Sequence, residues 1–143
     1  MSDTTTAPAA ADAATQAALE RLNTVIDRLI APDGCPWDST QTPESLTEYV
    51  IEECHELVDA IRSGKTADMV EELGDVAFLI LMIGKLMARA GGPSLADALE
   101  VEAAKMVRRH PHVFSDTTYE NQSEQLKDWD RIKREEKAAA DAE

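Results

Sequence analysis

The sequence predicts an all-α protein in which a helical bundle is built around one antiparallel helix pair. Three observations indicate this class. Apolar residues recur at helical spacing along most of the chain, no stretch shows the period-two alternation of a half-buried strand, and two acidic clusters lie at similar distances on either side of Gly64. With 143 residues and 43 % apolar content, the chain can bury one core and is expected to form a single domain.

The first predicted helix carries apolar residues at helical spacing and ends before Pro32. Residues 1–15 are rich in Ala, Thr, Asp and Pro, with neither a basic start nor an apolar core. We therefore expect a disordered tail there rather than a signal peptide. The folded domain is expected over residues 16–139, followed by a short disordered tail at residues 140–143.

The second predicted helix follows a loop rich in Pro and Gly, with Thr42 as its N-cap and Pro43 at its first position. On a helical wheel Glu53 falls inside the apolar stripe, whereas Glu52 points away from it. A carboxylate on a buried face is costly unless it has a partner. The stripe consists of Leu46, Tyr49, Val50, Cys54, Leu57 and Ile61.

The third predicted helix, over about residues 66–90, is apolar nearly all round between Val76 and Ile83. A chain of this size has little else with which to cover such a helix, so we expect a homodimer or homotetramer in which a second subunit buries part of it. A fourth helix is expected from Ser94 to the residues before Pro111, and a polar last helix over about residues 121–139.

If the second and third helices turn back on each other around Gly64, Glu53 faces Asp75 and Glu56 faces Glu72. At about 1.5 Å per residue, Glu56 and Glu72 lie roughly 12 Å from the turn. Carboxylates brought together there repel one another unless a cation lies among them. An all-oxygen ligand set suits Mg²⁺ or Mn²⁺ and not Zn²⁺.

The composition excludes several classes of partner. A formal charge of −14 and a pI near 4.5 argue against binding to a nucleic acid polymer or to an anionic membrane. The longest apolar run is far shorter than the about 20 residues that cross a bilayer. Cys35 and Cys54 form neither a Cys-x-x-Cys pair nor a disulfide framework, so a reducing cytoplasm is the expected compartment.

The two acidic clusters match the E-E-x-x-E and E-x-x-D elements of one protein family, at Glu52–Glu56 and Glu72–Asp75. Other segments match the same family in the expected order, and together they cover about residues 22–137. On these elements the chain resembles the MazG family of all-α nucleoside triphosphate pyrophosphohydrolases. The other matching segments are Cys35–Asp38, Gln41–Thr42, Ser45–Leu46, Asp59–Ile61 and Arg108–Phe114.

The resemblance implies hydrolysis of a nucleoside triphosphate to the monophosphate and pyrophosphate, with Mg²⁺ as cofactor or Mn²⁺ in its place. The metal ligands that it implies are Glu53, Glu56, Glu72 and Asp75. Glu52 is a candidate for orienting a ligand or helping to activate the attacking water. A metal ion neutralises phosphate oxygens and lowers the pKa of bound water, so no side-chain nucleophile is required. The implied role is removal of unwanted or damaged nucleotides.

The leaving pyrophosphate needs cations from outside the acidic clusters. Lys105 and Arg109, at i and i+4 on the fourth helix, match phosphate-binding positions of the family; alternatively, they are surface cations that favour the helix dipole. Trp129 and Lys133 resemble a C-terminal segment that some members fold over the nucleotide. Trp129 would then stack on a base, or else anchor the last helix. Trp37 either lines the base pocket or pins its loop.

Two rival functions stay open at this stage. The first is a non-catalytic helical interaction module, in which the acidic cluster is a dimer interface or a docking surface for a basic partner. The second is an enzyme of the related dUTPase type. The sequence does not distinguish a canonical, deoxy, oxidised or alarmone substrate, nor a dimer from a tetramer.

Overall fold

The computed structural model describes residues 6–143, which contain α-helices and no strand. The predicted all-α class is therefore confirmed for this part of the chain. The chain divides into two compact units, Met1–Leu95 and Ala96–Glu143. The helices are α1 (Thr6–Ile30), α2 (Thr47–Ser63), α3 (Thr66–Arg89), α4 (Leu95–Arg109), α5 (Pro111–Phe114) and α6 (Gln122–Asp141).

Helix α1 begins at Thr6, well before the expected domain boundary at residue 16. Residues 6–15, which we expected within a disordered tail, are thus helical in the structure. Their many alanines explain the difference, because Ala has the highest helix propensity. The expectation for residues 1–5 lies outside the described residues. At the other end α6 continues to Asp141, past the expected boundary at residue 139.

The core of the first unit forms where α3 packs against α1 and α2. Met82, at the centre of this core, is fully buried. The partly buried side chains of Val50 and Phe78 pack against the same core, from α2 and α3. The apolar segment of α3 therefore fixes the position of α2 beside it. The buried core residues are Ile26, Ile30, Leu46, Leu79, Leu81, Met82 and Leu86.

The loop after α1 is held against the end of α3. Arg89 donates hydrogen bonds to the carbonyl oxygens of Ile30, at 2.7 Å, and Ser39, at 3.1 Å. A Cβ atom at Gly34 would lie 2.3 Å from the carbonyl oxygen of Arg28, so only glycine fits at this close approach. These contacts fix the position of the loop that contains Trp37.

The entry to α2 differs from the prediction. The hydroxyl of Thr42 accepts a hydrogen bond from the Ser45 N–H at 3.1 Å, and the Ser45 hydroxyl accepts one from the Thr42 N–H at 2.9 Å. These reciprocal bonds hold the chain at the start of a single 3₁₀ turn, Glu44–Leu46, and the α-helix begins only at Thr47. The prediction that Thr42 is the N-cap of the helix is therefore wrong, because a 3₁₀ turn with Pro43 at its N-cap position comes first, and such turns are common at helix starts.

Helices α2 and α3 form the predicted antiparallel pair around Gly64. This glycine adopts a left-handed conformation with φ of 72°, and its N–H donates to the Ile61 carbonyl oxygen at 3.2 Å. Left-handed glycine is a common helix terminator because it lacks the Cβ that other residues would crowd against the backbone. The chain reverses over Gly64 and Lys65 before α3 begins.

The second unit contains α4, α5 and α6, and Ile132 is its only buried apolar residue. The rings of His110 and Trp129 meet edge to face with centroids 4.9 Å apart, and the rings of His112 and Tyr119 lie 5.3 Å apart. This unit is thus held mainly by ring contacts and polar side chains. Between residues 6 and 143, no helix has the length and apolar character that a membrane span requires.

We expect Gly64→Ala to lower the free energy of unfolding by about 1 kcal/mol, because a Cβ is strained at positive φ. The matched control is Gly74→Ala within α3, since an added Cβ meets no atom within 4 Å at either position. That control should stabilise the protein by up to about 1 kcal/mol through helix propensity. Urea unfolding of both variants measures the two effects. Equal effects of the same sign would contradict the role of the Gly64 turn.

Candidate functional site

Carboxylate groups from α2 and α3 meet between the two helices. One oxygen atom from each of Glu53, Glu56 and Glu72 lies within 4.8 Å of the others. A second set, Glu71, Glu72 and Asp75, meets the same limit, so Glu72 is shared between the sets. The i, i+3 spacing places Glu53 with Glu56 on one face of α2, and Glu72 with Asp75 on one face of α3. The expected meeting of Glu56 with Glu72 is therefore present in the structure.

The buried oxygens of this cluster lack hydrogen-bond partners. Glu53 and Glu72 are half-buried, and the Oε2 atom of each is buried without a donor within the described residues. Glu56 and Asp75 are more exposed. Buried polar atoms are rarely left unpaired in proteins, and hard cations such as Mg²⁺ prefer carboxylate oxygens. The donor set therefore fits a divalent metal ion held by oxygen ligands.

The cluster raises the pKa of two of its members. Burial, the hydrogen bond with Glu56 and the negative charges of Glu56, Asp75 and Glu72 raise the pKa of Glu53 to about 7. The pKa of Glu72 is also raised, first by burial and then by the charge of Glu56. Without a cation, the folded protein thus opposes full ionisation of the cluster.

Two cavities open on the carboxylates. One, of about 230 Å³, is lined by Trp37, Tyr49, Glu53 and Asp75 together with apolar residues of α3. The rings of Trp37 and Tyr49 meet edge to face there, with centroids 5.8 Å apart. The other cavity, of about 320 Å³, lies toward the turn and has Glu56 among its lining residues. Trp37 therefore lines a cavity together with Glu53 and Asp75, two of the predicted metal ligands.

Two residues near the carboxylates were not among the sequence candidates. Glu71 belongs to the second carboxylate set, and Tyr49 lines the cavity beside Glu53. A helical-spacing signal was available for both, since Glu71 precedes Asp75 by one turn and Tyr49 precedes Glu53 likewise. Glu52 is exposed and belongs to neither set, in agreement with its outward position on the helical wheel.

The basic candidates belong to the second unit, where Lys105 and Arg109 have ion-pair partners of their own. Lys105 forms an ion pair with Glu102 at 2.6 Å. Arg109 pairs with Glu136 at 2.9 Å, and its guanidinium carbon lies 5.6 Å from the centre of the Trp129 ring. Trp129 thereby makes the packing contact expected of a residue that anchors the last helix. Lys133 is exposed.

Comparison with protein families shows which family carries this arrangement. The family model described as the MazG nucleotide pyrophosphohydrolase domain matches residues 41–114, which is more than half of the chain. The chain belongs to the MazG family. The matched range includes both acidic clusters, Lys105 and Arg109.

Several curated proteins are similar to this chain. A nucleoside triphosphate pyrophosphohydrolase of Escherichia coli strain K12 is 40 % identical over 121 residues, which cover 84 % of this chain and 46 % of that protein. The nucleoside triphosphate pyrophosphohydrolase/pyrophosphatase MazG of Thermotoga maritima is 39 % identical over 118 residues, 82 % of this chain and 45 % of that protein. The chain thus spans less than half the length of these relatives.

A solved structure shares the fold. The crystal structure of a MazG-related protein from Thermotoga maritima matches with a TM-score of 0.67 and 29 % sequence identity. The match covers 80 % of this chain and 98 % of that chain. The helical arrangement found here is therefore a MazG-type fold.

We expect the metal-free protein to lose folding stability as the pH rises from 4.5 to about 7. The folded state holds the Glu53 proton more tightly than the unfolded chain does. The resulting stabilisation is complete below the unfolded pKa and is lost as the pH rises through the folded pKa. Urea unfolding in EDTA, at about pH 5 and about pH 8, measures this loss.

Glu53→Gln should reduce the loss of stability, since glutamine does not ionise. Glu52→Gln, which removes an exposed carboxylate from the same helix, is the control and should keep most of the loss. An unchanged loss in Glu53→Gln would contradict the assigned cause.

Proposed function

We propose that this chain hydrolyses nucleoside triphosphates to the monophosphate and pyrophosphate, with Mg²⁺ as cofactor and Mn²⁺ as an effective substitute. The observation that carries the proposal is the convergence of carboxylates on Glu72, with buried oxygen atoms on Glu53 and Glu72 that lack donors. The names of the relatives from Escherichia coli and Thermotoga maritima, both nucleoside triphosphate pyrophosphohydrolases, support the same reaction.

We assign the metal ligands to Glu53, Glu56, Glu72 and Asp75. When bound, the metal would lower the pKa of a water molecule and offset the charge of the phosphate oxygens. Glu53 and Glu72 bring the half-buried oxygens, while the more exposed Glu56 and Asp75 extend the set toward solvent. Glu52 is the candidate for orienting a ligand or accepting a proton from water. No side-chain nucleophile is needed for this reaction.

The residues that would contact the nucleotide fall into two groups. In the first unit, the exposed faces of Trp37 and Tyr49 offer a surface for a base beside the carboxylates. In the second unit, Lys105 and Arg109 are the candidates for binding the leaving pyrophosphate. Trp129 and Lys133 of α6 are also proposed to contact the nucleotide.

We also propose that the protein works as a homodimer or homotetramer. Apolar side chains along α3 remain exposed, among them Val70 at 68 %, Leu73 at 60 % and Ile80 at 48 %. Their spacing places them along one stripe of the helix. A second copy of the chain covering this stripe would remove that apolar surface from water.

The proposed setting is a reducing cytoplasm, where the enzyme would remove unwanted or damaged nucleotides. Cys35 and Cys54 are both free thiols, as that compartment favours.

The deciding experiment measures release of pyrophosphate and monophosphate from a panel of ribo-, deoxy- and modified nucleoside triphosphates. Each reaction is run with Mg²⁺, with Mn²⁺ and with EDTA. Metal-dependent formation of both products supports the proposal, and the ranking of substrates identifies the preferred base and sugar. Turnover of dUTP alone would favour the alternative hypothesis of an enzyme of the dUTPase type. No turnover by folded, metal-loaded protein would favour a non-catalytic interaction module.

We expect Glu53→Gln and Asp75→Asn each to lower turnover by more than about 100-fold, beyond the usual cost of losing an outer-shell partner of a metal. Helical content measured by circular dichroism should not change. Glu48→Gln is the control, because Glu48 is an exposed carboxylate in the first turn of the same helix α2. Retained turnover in either ligand variant would overturn the metal assignment.

We expect Ile80→Glu to shift the protein toward the monomer in light scattering, because it places a charge on the proposed interface. Val101→Glu is the control, since Val101 is 65 % exposed on α4. A wild-type protein that is monomeric at micromolar concentration would contradict the proposed assembly.

A further inference from the structure

One carboxylate in the second unit joins two arginine side chains. Oε1 of Glu136 accepts a hydrogen bond from Nε of Arg108 at 3.0 Å. Oε2 accepts two from Arg109, one from Nε at 3.2 Å and one from Nη2 at 2.9 Å. The side chains of Glu136 and Arg109 are 20 % and 17 % exposed. This contact therefore lies largely out of solvent, unlike an ordinary surface ion pair.

The contact fixes the orientation of the Arg109 guanidinium. Glu136 occupies its Nε side, and the ring of Trp129 lies 5.6 Å from its central carbon. Within residues 6–143, the Nη1 atom of Arg109 has no hydrogen-bond acceptor. The edge formed by Nη1 and Nη2 is the fork with which arginine binds phosphate in bidentate fashion. Glu136 takes one N–H of Nη2, so the donors of that edge that it does not use are Nη1 and the second N–H of Nη2.

The ionised state of Glu136 follows from the same contacts. The hydrogen bond from Arg109 lowers the pKa of this carboxyl most, and the hydrogen bond from Arg108 lowers it further. Two adjacent guanidinium groups would otherwise repel each other at the end of α4. A single carboxylate between them offsets that repulsion and holds both in place.

We propose that Glu136 is a positioning residue for phosphate recognition, which holds Arg109 with its free edge ready for the pyrophosphate part of the substrate. The inference rests on the proposed function, in which Arg109 binds that group. It adds a residue of α6 that does not itself touch the substrate. The energetic benefit comes from ordering a long side chain before the ligand arrives.

A positioning role and a purely electrostatic role of Glu136 predict opposite changes in pyrophosphate affinity. Removing the negative charge of Glu136 makes its surroundings more positive, which by itself would strengthen the binding of an anion. Loss of positioning would weaken that binding. The sign of the change in Glu136→Gln therefore distinguishes a positioning residue from a simple counter-ion.

The test is calorimetric titration of the full chain with inorganic pyrophosphate in EDTA, so that binding does not depend on metal at the carboxylate cluster. We expect Glu136→Gln to weaken binding by about three- to tenfold, the range that ordering one flexible side chain provides. Glu135→Gln is the matched control. Glu135 is the adjacent carboxylate on α6 and pairs with Arg131 instead, at 2.8 Å.

A second background separates positioning from misfolding. Arg109→Lys keeps the positive charge but lacks the planar fork, so adding Glu136→Gln to it should change pyrophosphate affinity little. Equal weakening in both backgrounds, tighter binding in Glu136→Gln, or no pyrophosphate binding by the wild-type chain would each overturn the inference. Nucleotide turnover is assayed separately. If the protein turns over no nucleotide but Glu136→Gln weakens pyrophosphate binding only when Arg109 is present, the proposed function is rejected and the role of Glu136 is kept.

Discussion

Repulsion among the carboxylates between α2 and α3 is the constraint on which the first unit depends. Two full charges about 5 Å apart near a protein surface repel by about 3 kcal/mol. The fold nevertheless brings Glu53, Glu56 and Glu72 within 4.8 Å of one another. The buried segment of α3 and the reversal at Gly64 hold them there. In the metal-free protein the raised pKa of Glu53 favours retention of a proton, whereas a bound divalent cation would offset the repulsion.

The same helix serves the core, the cluster and the neighbouring loop. The N-terminal half of α3 carries Glu72 and Asp75, and its second half supplies the buried residues around Met82. Arg89, its last residue, binds the loop that carries Trp37. A change in the packing of α3 would therefore alter both the carboxylate cluster and the ring contact of Trp37 with Tyr49. This shared support explains why so exposed a site can keep a defined geometry.

Local spacing in the sequence predicted the helix pair and part of the carboxylate cluster. The i, i+3 carboxylates and the glycine between them predicted that Glu56 of α2 meets Glu72 of α3, as the structure shows. Contacts between distant segments were not encoded in any short pattern. The pairing of Arg109 with Glu136 depends on how α6 packs, and the place of Tyr49 beside Trp37 depends on a loop. The helix at residues 6–15 was not predicted, because their composition resembles that of a disordered tail although their alanines have a high helix propensity.

The claim that these carboxylates form a divalent-cation site is tested most directly by calorimetric titration of the full chain with Mn²⁺ and with Mg²⁺. Glu72, shared by both carboxylate sets, is the residue to change. We predict saturable binding by the wild-type protein and its loss in Glu72→Gln, with helical content preserved. Equal binding by the two proteins, or no binding by the wild-type protein, would contradict a divalent-cation site at these carboxylates.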